Sequence, residues 1–347
     1  MVTVVRKTSL GLLGLFFFIL AIQLMKAGAR TLAPVLKETS LIGNPLNALG
    51  FGWLGAYFVL SGSPVAAATL GLFSGNAIDT VDAFMMINGS RMGASFIVLF
   101  VGLIYMLRGQ EPKRSLSMGM VSLFTTWTTY VPAMIIGYVT VSNGWLSGVH
   151  LSASQQLGSL IDGIYDPIVD WITSWAPGLL VFAVGVAVVL FAFNFIDRAL
   201  PEMDLSRTGF GEAPRLLYRP LVMFGLGMGV TTVTMSVSVS LGLLVPLSAR
   251  GYIRAENVIP YVMGANITTF VDTLVASMLI NYPSAFVVVL TEMLSVALVS
   301  VLILLISYRG YERLVLRIVG RLTRDRRSFA IFMLALVGMP IVLLLIP

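Results

Sequence analysis

The chain has 347 residues, of which 57% are hydrophobic and only 11% are charged, and its mean hydropathy is +0.93. Soluble domains are about 25% charged, so this composition excludes a water-soluble globular protein and predicts an all-α polytopic membrane protein. The absence of cysteine excludes disulfides, cysteine-bound metals and thiol catalysis. The net charge of +6 reflects membrane topology first, so no nucleic-acid partner is expected.

The first part of the chain predicts one unit of spanning helices with a hairpin. Two short apolar pieces meet around Ser61-Gly62-Ser63-Pro64, and each piece is too short to cross a bilayer alone. Such a pair is typical of a re-entrant hairpin, which is tolerated at depth where protein surrounds it. The predicted unit covers 1–141 and contains, in order, a span at 9–25, a polar segment at 26–47, a hairpin at 49–73, a broken span at 83–107 and a span at 116–141.

The middle segment, 142–176, contains no Lys or Arg and is predicted to lie outside the cell. Its apolar residues recur at helical spacing, which indicates an amphipathic helix lying in the membrane interface. Asp162, Asp166 and Asp170 follow one another at intervals of four on the other side of that helix. This stripe either attracts cations or is simply a solvated face, and we favour the solvated face.

The second part repeats the order of the first. The predicted unit covers 177–307 and contains a span at 178–196, a charged loop at 197–219, a hairpin at 221–247, a broken span at 259–280 and a span at 285–307. A basic cytoplasmic loop at 309–327 and a last span complete the region 308–347. The positive-inside rule places the basic loops in the cytoplasm, which predicts a cytoplasmic N-terminus and an extracellular or periplasmic C-terminus in the cell membrane.

Both broken spans carry a polar interruption. One reads Met263-Gly264-Ala265-Asn266-Ile267-Thr268-Thr269, and a weaker copy reads Gly89-Ser90-Arg91-Met92-Gly93-Ala94-Ser95. Small residues with hydroxyl, amide and guanidinium groups suit helices that are unwound where they line a site. The shift along the chain that takes Gly89 to Gly264, called here the repeat shift, also aligns the two hairpin turns without a gap. Because each unit has three crossings, the second unit is predicted to be inverted in the membrane.

The segment 254–269, R-A-E-N-V-I-P-Y-V-M-G-A-N-I-T-T, resembles a stretch of the sodium/phosphate cotransporter family that reads roughly E-Q-A-I-P-x-x-x-G-A-N-I-G-T. The resemblance implies two inverted repeats, each with Gln-Ser-Ser-Ser at a hairpin tip. Those tips correspond here to 60–63 and 235–238, with Leu60 and Met235 in place of Gln. Arg91 stands where the first repeat would have Asn, and Thr268 stands where the second Gly of the motif would be.

The candidate substrate and ion site combines both hairpin tips with both breaks. Its hydroxyl and amide groups either donate to an anion or give oxygen ligands to sodium, and a purely structural reading is that Ser and Gly permit close helix packing. The predicted binding residues are Ser61, Ser63, Arg91, Ser236, Ser238, Asn266, Thr268 and Thr269. Thr125, Thr126, Thr128 and Thr129 are expected to bond their own helix and to have no direct role.

Charged side chains within spans are the sharpest functional candidates, because a buried Arg costs about 3 kcal/mol or more on insertion scales. Arg91 either binds an oxyanion or pairs with Asp79 or Asp82. Asp82 and Asp272 are candidate cation or proton sites, and Asp272 alternatively caps a half-helix. Glu292 has no motif around it, and pairing with a basic group is left open.

These features predict an ion-coupled secondary transporter of a small inorganic anion, with phosphate as substrate, sodium as co-substrate and the lipid bilayer as environment. Alternatives are a carrier of another anion or a proton-coupled carrier on the same scaffold, a passive channel, and a non-transporting receptor or scaffold. An enzyme is not expected, because no nucleophile–base pair, nucleotide loop or metal cluster is evident, and no organic cofactor is implied. A homodimer is left open.

Overall fold

The computed structural model describes residues 2–39, 42–107, 112–149, 155–199, 219–242, 244, 254–280 and 282–346. These residues form helices and turns, and no strand occurs among them. Seven helical segments of the described chain are long and apolar enough to cross a membrane, which is the number of spans that the sequence predicts. The all-α class is therefore confirmed for the described residues, and the seven long apolar helices are compatible with a membrane protein.

The helices are numbered in chain order. They are α1 (Val2–Thr39), α2 (Pro45–Val59), α3 (Ser63–Ser74), α4 (Thr80–Ala94), α5 (Phe96–Leu107), α6 (Pro112–Ser142), α7 (Gln155–Thr173), α8 (Gly178–Ala199), α9 (Pro220–Thr234), α10 (Val237–Gly242), α11 (Ala255–Thr268), α12 (Phe270–Leu279), α13 (Pro283–Leu302), a π-helical turn (Ile303–Ser307), α14 (Tyr308–Arg324) and α15 (Arg326–Leu344). Most of the second arm of the expected 221–247 hairpin and most of the charged loop 197–219 lie outside the described residues.

The first helix is much longer than the predicted span 9–25. It runs to Thr39 and takes in most of the polar segment 26–47 that was placed after the first span. Packing explains the extension, because α1 lies along α8 and brings small residues into contact. A Cβ on Gly28 would lie only 2.8 Å from the carbonyl oxygen of Gly178. Tertiary contact of this kind outweighs a mixed polar sequence.

The predicted basic loop at 309–327 is also wrong as a loop, because 308–324 is the helix α14. Arg309, Arg313, Arg317 and Arg321 recur every four residues and so share one helical face. The opposite face buries Val315 and Val319 against the bundle. The arginine count predicts a cytoplasmic location but hides this amphipathic period.

The two halves begin and end their short helices at equivalent positions. Both α2 and α9 start with proline at the first turn, and the repeat shift takes Pro45 to Pro220. Both end in a non-glycine residue with left-handed backbone, Leu60 with φ 55° and Met235 with φ 47°. Such a conformation is disfavoured for side chains of this kind. Its recurrence at the same shift indicates one turn geometry used twice.

The helix crossing between α2 and α4 depends on two glycines. A Cβ on Gly52 would overlap the carbonyl oxygen of Met86, and a Cβ on Gly89 would overlap that of Leu49. The backbones of the two helices therefore touch directly, as is common where small residues line a membrane helix interface.

The crossing between α9 and α11 repeats this arrangement residue for residue. A Cβ on Gly227 would overlap the carbonyl oxygen of Tyr261, and a Cβ on Gly264 would overlap that of Phe224. The repeat shift takes each residue of the first crossing to its counterpart here. The correspondence therefore extends from sequence motifs to backbone packing.

The outer helix α7 confirms the amphipathic helix expected within 142–176. Ile161, Tyr165 and Val169 are buried against α1, while Trp171 and Trp175 are exposed. Asp162, Asp166 and Asp170 are exposed, and they line a cavity of about 340 Å³ together with Lys26 and Arg30 of α1. Burial, followed by the like charges of Asp162 and Asp170, raises the pKa of Asp166.

Candidate functional site

The two short-helix turns and the two helix breaks meet at one polar cavity beside α6. Its volume of about 10 Å³ corresponds to about one water position. Residues from both halves of the chain therefore line one small site. The lining residues are Ser61, Gly62, Ser63, Arg91, Ala94, Ser95, Thr126, Tyr130, Ser236, Val237, Asn266 and Thr269.

The breaks themselves are narrower than the unwound segments that the sequence predicts. Only Ser95 separates α4 from α5, and only Thr269 separates α11 from α12. Both residues keep right-handed backbone, with φ −63° at Ser95 and φ −61° at Thr269. Their N–H groups still donate to the carbonyls of Arg91 and Ala265. Each span therefore departs from regular α-helix at one residue and is not unwound over several residues.

Arg91 is the centre of the hydrogen bonds at this site. It is only 4% exposed, and one guanidinium nitrogen donates to Ser63 at 3.1 Å and to Thr269 at 3.4 Å. The other terminal nitrogen donates to Thr273 and lies 3.4 Å from a carboxylate oxygen of Asp272. One side chain thus joins the first turn to the second broken span.

Pairing of Arg91 with Asp79 or Asp82, one of the two alternatives for this residue, is not found. Asp79 instead caps α4 by accepting a hydrogen bond from the backbone N–H of Asp82. The partner is Asp272, whose charge offsets that of the guanidinium in a region where isolated charges are costly. Phe270 adds a ring whose centroid lies 5.0 Å from the centre of the guanidinium.

Asn266 fixes the second break to α6. Its amide donates to the hydroxyl of Thr126 at 3.2 Å, and Tyr130 donates to its backbone carbonyl at 3.1 Å. Thr126 and Tyr130 are therefore site residues that the sequence reasoning did not select, and Thr126 was expected to have no direct role. Their spacing of four residues places both on one face of α6, which is the signal that was available.

The predicted site residues separate into two groups. Those that line the cavity are Ser61, Ser63, Arg91, Ser236, Asn266 and Thr269. Thr268 does not, because its hydroxyl donates to the carbonyl of Met228 on α9. Asp82 is part of the first turn of α4, and Asp272 lies behind Arg91. The side chain of Ser238 lies outside the described part of the structure.

The donor set suits a small anion or a single monovalent cation. Arg91, the hydroxyls and the Asn266 amide are hydrogen-bond donors, and the same hydroxyls and amide present oxygen ligands. Among the described residues, no three His, Cys, Asp and Glu side chains are grouped as a metal site would require. The described residues of the site therefore offer hydroxyl, amide and guanidinium groups and no cluster of His, Cys, Asp or Glu ligands.

No protein-family model matches the chain, and no curated protein or solved structure shows significant similarity to it. The cavity and the correspondence between the two halves are therefore the features that indicate function. The polar cavity is lined by residues of both halves and lies beside the buried pair of Arg91 and Asp272.

Proposed function

We propose that this protein is an ion-coupled secondary transporter of a small inorganic anion that works by alternating access. Phosphate is the proposed substrate and sodium the proposed coupling ion. The observation that carries the proposal is the polar cavity at which two short-helix turns and two broken helices meet. Binding sites formed between repeated units by discontinuous helices are typical of secondary transporters.

Inverted repeats are the second element of the proposal. The repeat shift relates the proline starts, the left-handed turn residues and the glycine crossings of the two halves. Three crossings per unit would place the second unit upside down, and the turns would then enter from opposite sides as re-entrant hairpins. Rocking of one unit against the other would expose the cavity to each side in turn.

The chemistry of an anion site supports this choice of substrate class. The helix α3 begins at Ser63 beside Arg91, so backbone N–H groups and a positive dipole face the cavity with the guanidinium. Arginine binds oxyanions through paired N–H groups, and serine hydroxyls add further donors. Sodium would use the hydroxyl oxygens and the Asn266 amide of the same surface.

The small volume of the cavity supports a closed state within the proposed cycle. A space of about one water position cannot hold a phosphate ion, so the turns must separate to admit one. The structure would then correspond to a closed state of the cycle. Opening must also loosen the hydrogen bonds from Arg91 to Ser63 and Thr269, which close the site from two sides.

Uptake of labelled phosphate into proteoliposomes tests the proposal directly. We expect uptake with an inward sodium gradient, and much less when sodium is replaced by potassium or equilibrated. Sodium-independent flux down the phosphate gradient would support a passive channel. Lack of sodium-dependent uptake would contradict the proposed coupling, and parallel assays with sulfate and with a proton gradient would test the alternative carriers.

A receptor or scaffold is the second candidate, and one observation favours it. Arg91 is already paired with Asp272 and bonded to three hydroxyl groups, which is what a purely structural arginine requires. Transport assays on Arg91→Ala separate the two functions. Unchanged uptake kinetics would remove Arg91 from the substrate site, and absence of uptake by the parent chain would favour the scaffold.

A further inference from the structure

Two buried polar side chains lie beside the Arg91 hydrogen bonds without taking part in them. Glu292 of α13 is 1% exposed, and neither of its carboxyl oxygens has a partner of hydrogen-bond geometry in the described structure. Asn88 of α4 faces it, fully buried, with both amide atoms equally without such a partner. Because Asn88 precedes Arg91 by three residues, both belong to one face of α4.

The charges around Glu292 do not balance when Arg91 and both carboxyl groups are ionised. Arg91 of α4 acts directly on Glu292, and Tyr130 of α6 lies within electrostatic range of Arg91, Glu292 and Asp272 of α12. The helix α3 contains no titratable residue, and Tyr261 of α11 is bonded to Ser240 instead. One guanidinium with two carboxylates gives +1 − 2 = −1.

Asp272 is the carboxylate that pairs with the single positive charge of Arg91. It lies 3.4 Å from Arg91 and also accepts hydrogen bonds from the hydroxyl and the N–H of Thr273. An ionised Glu292 would hold the remaining charge in a buried environment, with no hydrogen bond of good geometry among the described residues. Transfer of such a carboxylate out of water costs many kcal/mol, and the group takes up a proton instead.

We propose that Glu292 is a proton-binding site, protonated while the cavity is closed, and that its proton binds together with the anion transported at Arg91. The second part rests on the proposed transport function, whereas the first does not. Arg91 connects the two sites, because its guanidinium lines the cavity and is also the charged group that acts on Glu292. With Glu292 protonated the cluster charge is +1 − 1 = 0, so an entering anion meets no excess negative charge.

Thermodynamic linkage gives this arrangement a direction. If the anion binds better to the protonated cluster, then the anion must raise the proton affinity of Glu292 by the same factor. The anion should therefore bind more tightly as the pH falls, by up to about tenfold per pH unit for one linked proton. The proton would then drive uptake beside sodium or in its place.

Infrared difference spectroscopy tests the proton site without any transport measurement. We expect a C=O stretch of a protonated carboxylic acid in the reconstituted protein near neutral pH. This band should disappear in Glu292→Gln and persist in Glu256→Gln, which makes the same change at an exposed position of α11. A spectrum with no band that depends on Glu292 would overturn the proton site.

The fold of the variant provides a second test. Glutamine has nearly the shape of a protonated carboxylic acid, so Glu292→Gln should keep the thermal midpoint of the parent chain. A large drop in that midpoint, with Glu256→Gln unaffected, would mean that the ionised carboxylate is needed, and this would overturn the proposal.

Uptake at a series of pH values tests the coupling. Because phosphate itself changes charge near neutral pH, each value is compared between the parent chain and Glu292→Gln. We expect the extra increase at low pH to vanish in the variant, and identical profiles would overturn the coupling. If the infrared band is present but neither chain takes up phosphate, the proposed function fails while the proton site stands.

Discussion

Alanine at Gly227 would add one methyl group where α9 lies directly on α11. Its Cβ would overlap the carbonyl oxygen of Tyr261 and approach the Cα of the same residue to 3.0 Å. These atoms belong to the backbone, so a rotamer change cannot relieve the contact and the helices must separate. Overpacking of a close contact costs about 1–3 kcal/mol, and a backbone obstacle favours the upper end.

The same helix provides a matched control at Gly229. That residue is exposed or partly exposed, and a Cβ there has no atom within 4 Å. Both changes gain about 1 kcal/mol of helix propensity, because alanine replaces glycine. We therefore expect Gly227→Ala to lower the free energy of unfolding by about 2 kcal/mol and Gly229→Ala to raise it by up to about 1 kcal/mol.

Unfolding in mixed micelles with increasing denaturing detergent measures this difference. Gly52→Ala should behave as Gly227→Ala does, because its Cβ would overlap the carbonyl oxygen of Met86 at the equivalent crossing. Equal stability of Gly227→Ala and Gly229→Ala would refute the close crossing of α9 and α11. A loss at Gly227 without one at Gly52 would refute the equivalence of the two crossings.

Three further predictions concern the pair of Arg91 and Asp272, the turn at Met235 and the helix α7. Arg91→Ala leaves Asp272 buried without its partner and should lower the free energy of unfolding in detergent by about 3–5 kcal/mol. The double variant with Asp272→Ala should lose clearly less stability than the two single variants combined, and additive losses would contradict the pair. Met235→Gly removes a side chain from a residue with left-handed backbone and should leave stability unchanged or raise it by up to about 1 kcal/mol. Met235→Val should lower stability, and the opposite order of the two variants would contradict the turn geometry. Because the pKa of Asp166 is raised in the folded chain, the packing of α7 on α1 should weaken as the pH rises through that pKa. Hydrogen exchange in α7 should show this pH dependence, and Asp166→Asn should remove it.

Sequence patterns predict the helices of this protein well because a helix that spans a bilayer needs about 20 predominantly apolar residues. The seven spans and the turn at 61–63 follow from apolar run lengths and small-residue interruptions alone. The repeat shift also follows from the sequence, and the glycine crossings agree with it. Segment ends are less predictable, since α1 and α14 extend through polar residues that packing and amphipathic period keep helical.

Side-chain partners in the candidate site could not be predicted in the same way. Arg91 and Asp272 are 181 residues apart, so their pairing depends on how the two halves meet. The sequence suggested the nearer acids Asp79 and Asp82, which lie close to Arg91 along the chain. The role of α6 was likewise missed, because Thr126 and Tyr130 acquire meaning only when Asn266 is placed against them.

Two inverted units would bring their turns to one cavity from opposite sides of the membrane, so that α2 and α9 would begin at opposite faces. Since the chain has no cysteine, Leu46→Cys and Leu221→Cys give two single-cysteine proteins without further changes. Both positions are exposed in the first turns of these helices, and the repeat shift takes one to the other. Labelling each in oriented vesicles with a membrane-impermeant thiol reagent, added to one side at a time, measures which face reaches each helix start. Inverted units predict that the two positions are labelled from opposite sides, and labelling of both from the same side would contradict the inversion.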